Sequence, residues 1–267
     1  MELRGAVVVV TGASSGFGER TALRFAQAGS TVVLAARRLE RLEALGERIG
    51  AHGGRALPMR CDVTVREDIE RVRDATLEAF GRCDVLVNNA GLSGAGPFRE
   101  VAAERLEQVI ATNLTGLVLC TKAFLPSMLE SRRGHVVNVA SLAGRFAPPG
   151  AAVYGATKHG VVAFSEALYH ELRGTGVLVT SVNPGFSLTE GFPMRGTPTA
   201  VLLDPDRVAR TIVDVVRRGK APEISIPRAL AVLQIFRVLT PPLYRWGVGV
   251  VSRFGSERSG TGHDGTG

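Results

Sequence analysis

The chain has few cysteines, few aromatic residues and no long uninterrupted apolar segment. Its three cysteines (Cys61, Cys83 and Cys120) lie far apart in or beside apolar segments, which predicts buried reduced thiols and no zinc or CxxC site. No apolar run approaches the roughly 20 residues that span a bilayer. The residues before Thr11 are too few for the apolar core of a signal peptide, and the histidines show no metal-ligand spacing. We therefore expect a cytoplasmic protein without a bound metal.

Basic residues outnumber acidic ones. The chain has 32 Lys and Arg against 25 Asp and Glu, a net charge of +7, and a pI near 10.0. Such basicity invites a nucleic-acid interpretation, but the sequence shows no helix-turn-helix, zinc-finger or aromatic-basic strand pattern. Much of the excess lies in residues 195–267. We expect no nucleic-acid partner, and the length and hydrophobic content favour one large α/β domain.

A glycine-rich segment follows the first predicted strand. The β-branched run Ala6–Val10 leads into Thr11–Gly18, and a helical pattern follows over Glu19–Ala28. A strand, a glycine turn and a helix together place a helix N-terminus against a phosphate, and the Gly-x-x-x-Gly-x-Gly spacing is a variant of the dinucleotide fingerprint. Residues 12–16 also match the G-x-S-x-G nucleophile elbow, with Ser14 as the nucleophile. That fold needs several strands before the elbow, so phosphate binding is favoured.

The end of the second predicted strand, Thr31–Ala36, indicates the type of dinucleotide. Sites that prefer NAD have an acidic residue about 20 residues after the glycines, and it binds the ribose 2′-hydroxyl. Ala36 falls at that position here, and Arg37 and Arg38 follow it. A guanidinium can pair with a 2′-phosphate, so the predicted cofactor is NADP(H). Arg37 is the stronger candidate for this contact, because Arg38 also fits a solvated arginine at a strand end.

Strand and helix patterns alternate along most of the chain, which predicts a parallel sheet with right-handed crossovers and helices on both faces. The expected fold is a single Rossmann-type doubly wound α/β sheet of about seven strands. The expected organisation is a dinucleotide-binding catalytic domain at 1–227, a C-terminal extension at 228–255 and a disordered tail at 256–267. Further strands are predicted at 55–61, 84–87, 135–140, 177–182 and 223–226, and further helices at 39–49, 67–80, 101–130, 152–172 and 206–217.

Tyr154 and Lys158 lie four residues apart on the helix predicted at 152–172. This spacing places both side chains on one helix face, one turn apart. A phenol titrates near pH 10, and a nearby ammonium lowers its pKa toward the working range. The pair can then protonate a carbonyl oxygen, or deprotonate an alcohol, as hydride is transferred. A solvated surface pair has the same spacing, so the surrounding motifs decide.

Taken together, the motifs resemble those of the short-chain dehydrogenase/reductases, in their NADP(H)-preferring subgroup. Thr11–Gly18 matches the TGxxxGxG loop, Asn88–Gly91 the NNAG motif and Tyr154–Lys158 the YxxxK motif. The resemblance covers about residues 5–227, and the combination is far more specific than any one motif. Single residues that match are Ser141 after the fifth strand, Asn113 of the long helix, and Pro184, Gly185 and Thr189 after the sixth strand.

The resemblance implies hydride transfer between NADP(H) and a small carbonyl or alcohol substrate. Tyr154 would be the general acid/base, and Lys158 would lower its pKa and hold the ribose. Ser141 would hydrogen-bond the substrate oxygen, and Asn113 would support a water that leads protons to Lys158. A homo-oligomer formed through the helices of Asn113 and Tyr154 is also implied. The implied cofactor-binding residues are Gly12, Ser14, Ser15, Gly16, Phe17, Gly18, Arg37, Arg38, Asp62, Val63, Asn89, Ala90, Gly91, Tyr154, Lys158, Pro184, Gly185 and Thr189.

The segment at 186–200 follows the implied nicotinamide contact and is expected to form a mobile lid. Apolar residues dominate the implied pocket, with Arg145 and Arg195 as the charged residues nearby, so an apolar ketone or alcohol is favoured. Two alternatives stay open: a catalytically idle NADP-binding sensor or scaffold, and a serine hydrolase that uses Ser14. The apolar residues are Leu92, Phe98, Leu142, Phe146, Phe186, Phe192, Pro193 and Met194.

The C-terminal extension is basic, with apolar and aromatic residues interleaved. Tyr244 and Trp246 are of the types found at headgroup depth, and arginines are attracted to anionic lipid. Arg228 and Arg237, however, would fall on opposite sides of a continuous helix, which does not match a one-sided membrane helix. Peripheral contact with a membrane and packing against the domain or a second subunit are two open hypotheses.

Overall fold

The computed structural model describes residues 1–94, 96–146, 149–185, 203–227 and 239–242. Most of the helices and strands match the sequence prediction to within one or two residues. The strands are β1 Val7–Thr11, β2 Thr31–Ala36, β3 Arg55–Arg60, β4 Val85–Asn88, β5 Gly134–Val139, β6 Val177–Pro184 and β7 Glu223–Ile226. The helices are α1 Gly16–Gln27, α2 Leu39–Gly50, α3 Arg66–Phe80, α4 Ala103–Ile110, α5 Gly116–Glu130, α6 Ala152–Glu171 and α7 Pro205–Arg218.

The seven strands form one parallel sheet in the order β3-β2-β1-β4-β5-β6-β7. The predicted doubly wound Rossmann-type fold is therefore confirmed. The strand order reverses between β1 and β4, and in open α/β sheets the carboxyl ends of the strands at such a point border the ligand crevice. The motif residues after β1, β2 and β4 consequently meet at one edge of the sheet.

The sheet separates two apolar cores, because successive side chains of a strand point to opposite faces. Val8 and Val10 of β1 pack in the core that includes Phe25 of α1, whereas Val9 packs in the core that includes Phe124 of α5. Burial on both faces explains why β1 is a continuous apolar run rather than an alternating one. As predicted, all three cysteines are buried and free.

The helix predicted as one element over 101–130 is interrupted. A π-helical turn at Ala111–Thr115 joins α4 to α5, and it carries Asn113, whose side chain is fully buried. Inserted π turns of this kind occur often at functional sites. An apolar periodicity barely changes when one residue is added to a turn, so the sequence pattern predicted a continuous helix.

By length and composition alone, the same segment, Ala103–Glu130, is long and apolar enough to cross a membrane, with a mean hydropathy of 1.4 over its most apolar stretch. Its α5 part packs on the sheet through Leu117, Cys120, Phe124 and Met128, all of them buried. Burial against the sheet accounts for the apolar residues at these four positions.

Several predicted elements fall outside the described residues. They are the lid at 186–200 with Thr189, Phe186, Phe192, Pro193, Met194 and Arg195, the tail at 256–267, and nearly all of the C-terminal extension, including Tyr244 and Trp246. The lid, the disordered tail and the two hypotheses for the extension stay predictions.

Candidate active site

The glycine loop after β1 turns so tightly that side chains are excluded from it. Gly12 has a φ of +66°, and a Cβ placed there would lie 2.8 Å from the Cα of Ala90. A Cβ at Gly18 would lie 2.2 Å from the Gly12 carbonyl oxygen. Helix α1 begins at Gly16, before the predicted start at Glu19. The first turn of α1 is therefore part of the loop, where its free N–H groups suit an anion.

A hydrogen-bonded clamp joins the glycine loop to the NNAG segment. The Thr11 hydroxyl accepts hydrogen bonds from the backbone N–H groups of Asn89 (3.0 Å) and Ala90 (3.1 Å). The Asn89 side-chain amide donates to the carbonyl oxygens of Thr11 (3.0 Å) and Gly12 (3.2 Å). The two loops thus hold each other's backbone, and Asn89 steadies the loop after β1 in addition to bordering the cleft.

These segments border a cavity of about 350 Å³ at the carboxyl ends of β1 to β5. Leu92, which was expected beside the substrate, lines the cavity. Residues that sequence reasoning missed are Cys61, Thr112, Val139 and Ala140; each adjoins a motif residue or a strand end, which is the signal that could have found them. The predicted residues that line the cavity are Gly12, Ser14, Ser15, Gly16, Phe17, Arg37, Arg38, Asp62, Val63, Asn89, Ala90, Gly91, Tyr154 and Lys158.

The two arginines after β2 occupy different environments. Arg38 donates from Nη2 to the hydroxyls of Ser14 (3.1 Å) and Ser15 (3.0 Å), and its Nε lies 3.3 Å from the Ser14 oxygen. The Arg37 side chain is 64% exposed, and its nearest acidic oxygen belongs to Asp62 at 4.0 Å. Arg38 is therefore not the solvated arginine that the sequence allowed, and its guanidinium joins the glycine loop to the end of β2.

Tyr154 and Lys158 share one face of α6, as their spacing predicts. The Lys158 Nζ lies 5.8 Å from the centre of the Tyr154 ring and donates to the Val139 carbonyl oxygen at 2.8 Å. Burial raises the pKa of Tyr154 to about 12, although a hydrogen bond with Ser141 opposes this rise. Burial lowers the pKa of Lys158 to about 8. The expectation that Lys158 lowers the pKa of Tyr154 is wrong here, because desolvation disfavours both the phenolate and the ammonium.

Ser141 follows β5 and caps a short 3₁₀ turn, Leu142–Gly144. Its hydroxyl accepts a hydrogen bond from the Ala143 N–H at 3.1 Å and also hydrogen-bonds with Tyr154. The turn lies against α6, since a Cβ at Gly144 would approach the Lys158 carbonyl oxygen to 2.6 Å. The structure therefore brings Ser141, Tyr154 and Lys158 together.

Asn113 lies behind the cavity rather than in its lining. Its Oδ1 accepts from the Leu92 N–H (2.7 Å), and its Nδ2 donates to the Leu92 oxygen (2.9 Å) and to Thr157 (3.3 Å). The amide thereby fixes the segment after β4 against α6. The proton-conducting water at Asn113 stays a prediction.

The residues expected to surround the substrate are not all gathered at the cavity. Phe98 is 64% exposed on a short 3₁₀ turn, whereas Leu142 is buried, and a Cβ at Gly185 would lie 3.3 Å from its Cδ1. Arg145 forms an ion pair with Glu223 of β7. Pro184 ends β6, and Gly185 donates its N–H to the Ile226 oxygen at 2.8 Å.

Comparison with known proteins decides the family. The sequence profile described as short chain dehydrogenase matches residues 6–196. The chain belongs to the short-chain dehydrogenase/reductase family. It is an oxidoreductase that acts on C=O or CH–OH groups, and this assignment disfavours the nucleophile elbow at Ser14.

Other short-chain dehydrogenase/reductases resemble the chain over most of its length. An uncharacterized oxidoreductase of Myxococcus xanthus is 39% identical over 245 residues, 91% of this chain and 96% of the relative. An NADP-dependent 3-hydroxy acid dehydrogenase of Salmonella typhi is 43% identical over 67% of this chain and 71% of its own. A Burkholderia phymatum enzyme solved with NAD has a TM-score of 0.82 at 30% identity, covering 91% of this chain and 96% of its own.

A further solved relative contains the phosphorylated dinucleotide. A single-residue variant of actinorhodin polyketide ketoreductase, solved with NADPH, has a TM-score of 0.77 at 34% identity. It covers 83% of this chain and 95% of its own. Both dinucleotides thus occur among relatives of the same fold, so the choice between NAD and NADP depends on this chain's own residues.

Proposed function

We propose that the protein is an NADP(H)-dependent oxidoreductase that uses Tyr154 as its general acid/base on a carbonyl/alcohol pair. One observation carries this proposal: the glycine cradle, Arg38 and the Tyr154–Lys158 pair line a single cavity. A phosphate-binding end and a proton-transfer end in one cleft are what dinucleotide-dependent hydride transfer requires.

The residues present fit a bound dinucleotide. A Cβ at Gly12 or Gly18 would clash with the backbone that forms the cradle. The first turn of α1, together with the hydroxyls of Ser14 and Ser15, supplies donors for phosphate. Asp62 and Val63 would flank the adenine, and Lys158 would hold ribose hydroxyls. When bound, the nicotinamide supplies or accepts the hydride.

The preference for NADP(H) rests on the end of β2. Ala36 provides no carboxylate for a ribose 2′-hydroxyl, and Arg38 places a guanidinium beside the serines of the loop. Guanidinium groups bind phosphate by charge-assisted, often bidentate hydrogen bonds. We assign the 2′-phosphate contact to Arg38, with Arg37 as a secondary, solvent-screened charge.

The proton chemistry belongs to Tyr154 and Ser141. Reduction of a carbonyl builds negative charge on its oxygen, and two hydroxyl donors held together can stabilise that charge. The phenol is protonated at neutral pH, because burial raises its pKa to about 12. It can therefore donate its proton to the developing alkoxide, and Ser141 would hold the same oxygen in place.

The names of several relatives support a narrower substrate class. They include a 3-oxoacyl-[acyl-carrier-protein] reductase of Synechocystis, 38% identical, and the Salmonella 3-hydroxy acid dehydrogenase. Both names place the reacting oxygen on the third carbon of an acyl compound. We propose 3-oxoacyl and 3-hydroxyacyl compounds with apolar chains as substrates to test beside simple apolar ketones.

Substitution of Tyr154 by Phe tests the proposal. General acid catalysis contributes about 10²–10⁴-fold, so Tyr154→Phe is expected to lower kcat at least 100-fold while cofactor affinity and the melting temperature stay near their wild-type values. Tyr169→Phe is the matched control, because Tyr169 lies on the same helix and contacts His170 instead of the cavity.

Other outcomes discriminate the alternatives. Near-normal turnover of Tyr154→Phe would show that another group transfers the proton. Tight cofactor binding without turnover on the whole carbonyl and alcohol panel would favour the sensor or scaffold. Ester hydrolysis that is lost in Ser14→Ala would favour the hydrolase.

A further inference from the structure

The turn that carries Ser141 is tied to the far edge of the sheet by one arginine. Arg145, four residues after Ser141, makes a two-pronged contact with Glu223 of β7: its Nε donates to Oε1 at 2.9 Å, and its Nη2 contacts Oε2. Both side chains are only 24% exposed. Bidentate guanidinium–carboxylate pairs fix orientation as well as distance.

Glu223 also contacts the neighbouring strand, β6. Its Oε1 also accepts a hydrogen bond from the Asn183 side-chain amide at 2.6 Å. Asn183 is fully buried on β6, directly before Pro184 and Gly185 at the strand end. The three side chains therefore connect the Ser141 turn to the strand end that leads into the predicted lid.

The backbone hydrogen bonds of the turn hold its shape but not its place. Gly144 donates to the Ser141 oxygen, and Arg145 and Phe146 donate to the Leu142 oxygen, each at 2.8 Å. All of these bonds stay inside the turn. On one side the turn packs against Lys158 of α6, through the close approach of Gly144. On the other side, Leu142 lies beside Gly185, and the Ala140 N–H donates to the Val182 oxygen at 2.8 Å. The contact of Arg145 with Glu223 adds a polar link from the end of the turn to β7.

The polar groups around Glu223 are poorly suited to stabilisation alone. Asn183 Oδ1 and the Ser225 hydroxyl, on register partners of β6 and β7, are buried and have no hydrogen-bond partner among the described residues. A buried network left partly unsatisfied is less favourable than apolar packing of the same volume. A role in orienting the Ser141 turn would explain why this network is present, whereas stability would not.

We propose that Arg145 is a positioning residue: through Glu223 and Asn183 it holds the Ser141 turn at the distance from Tyr154 that the reaction needs. This inference rests on the proposed function, because it acts through Ser141 and Tyr154. Loss of the tether leaves the Arg145 end of the turn without its link to β7, so the Ser141 hydroxyl is held less firmly toward Tyr154.

Conservative substitutions test the tether with the full-length protein. Arg145→Lys keeps the charge but loses the two-pronged contact, and Glu223→Gln keeps the shape but loses the charge. Arg24→Lys is the matched control, because Arg24 forms a similar two-pronged pair with Asp206 between α1 and α7. The measurements are kcat and KM, cofactor Kd, the pH dependence of kcat/KM for alcohol oxidation, and hydrogen–deuterium exchange at residues 143–146.

In Arg145→Lys and Glu223→Gln, kcat/KM is expected to fall at least about tenfold with cofactor Kd unchanged, since small misplacements of catalytic groups are costly. The rising limb of the pH profile should move to higher pH, because the Ser141 hydrogen bond lowers the pKa of Tyr154, which otherwise has Lys158 as its charged neighbour. Amide exchange in the turn should accelerate. The double variant should be no worse than the poorer single one, because both remove one contact.

Wild-type kinetics and exchange in both variants, or changes no larger than those of Arg24→Lys, would overturn the proposal. Exchange is measured without turnover, so it decides whether Arg145 holds the turn even if the proposed reaction is wrong. A wrong assignment of the function would be shown by a different result, namely retained turnover in Tyr154→Phe.

Discussion

Replacement of Arg38 by Ala is expected to change the preference between NADPH and NADH. Arg38 lies in the cavity lining beside Ala36 and donates to the hydroxyls of two serines in the glycine loop. A hydrogen bond to a charged group contributes about 1.5–3 kcal/mol, which corresponds to roughly 10- to 150-fold in affinity. NADPH binding should weaken by that factor in Arg38→Ala.

Arg37 provides the internal comparison. Its side chain is 64% exposed, and its Nη1 lies 4.0 Å from an Asp62 carboxylate oxygen, so solvent and that carboxylate screen its charge. Exposed charge pairs contribute about 0–1 kcal/mol, and Arg37→Ala should weaken NADPH binding by no more than about fivefold. Comparison of the two variants thus distinguishes a direct contact with the 2′-phosphate from a general electrostatic contribution.

The assay is calorimetric titration of each variant with NADPH and with NADH at two ionic strengths. In Arg38→Ala the affinity for NADH should change by less than about tenfold, because NADH has no 2′-phosphate for Arg38 to bind and only the contacts within the loop are lost. High salt should reduce the effect of Arg37→Ala more than that of Arg38→Ala. Equal losses for both dinucleotides in Arg38→Ala would mean that Arg38 only shapes the loop. A larger loss of NADPH binding in Arg37→Ala would return the contact to Arg37.

Two further predictions concern the loop and the buried lysine. Gly18→Ala should lower both cofactor affinity and melting temperature, because its Cβ would meet backbone at 2.2 Å, whereas Gly50→Ala, with nothing within 4 Å, should change neither. The pKa of Lys158 is lowered from 10.5 to about 8. Between these two pH values Lys158 is protonated in the unfolded chain but not in the folded one. The free energy of unfolding therefore rises with pH across this range, by on the order of 3 kcal/mol. Chemical denaturation of Lys158→Met should lack this rise, and exposed Lys122→Met should keep it.

The strands were predictable because burial on both faces demands a particular composition. β1 and β2 are runs of Val, Leu, Ala and Thr that each follow a glycine turn, and the structure has them where those runs lie. Helix α7 carries equally local signals: the Asp204 side chain caps it, Pro205 begins it and Gly219 ends it with a φ of +60°. Such signals depend on a few neighbouring residues, so a single sequence contains them.

Features that depend on side-chain direction were not predictable in the same way. Periodicity cannot separate Arg37 from Arg38, because the chain leaves the strand at Ala36 and either side chain could then turn toward the glycine loop. The Arg145–Glu223 pair joins residues 78 positions apart; Arg145 follows β5, and Glu223 begins β7. The sequence suggested only that Arg145 lay near the substrate, whereas the fold pairs it with the sheet edge.

The direction of the Tyr154 pKa shift was also not predictable from the spacing of the residues. Helical spacing predicted that Lys158 would lower the phenol pKa, but burial dominates both groups and drives them in opposite directions. Among the described residues, the Ser141 hydrogen bond lowers the phenol pKa, so the position of Ser141 affects the electrostatics of the site as well as its geometry. A protonated phenol is already prepared to donate to a carbonyl oxygen. Alcohol oxidation needs the phenolate, so that direction must draw on the charge and hydrogen bonds that ligands bring to the pair, and on the tether that keeps Ser141 beside it.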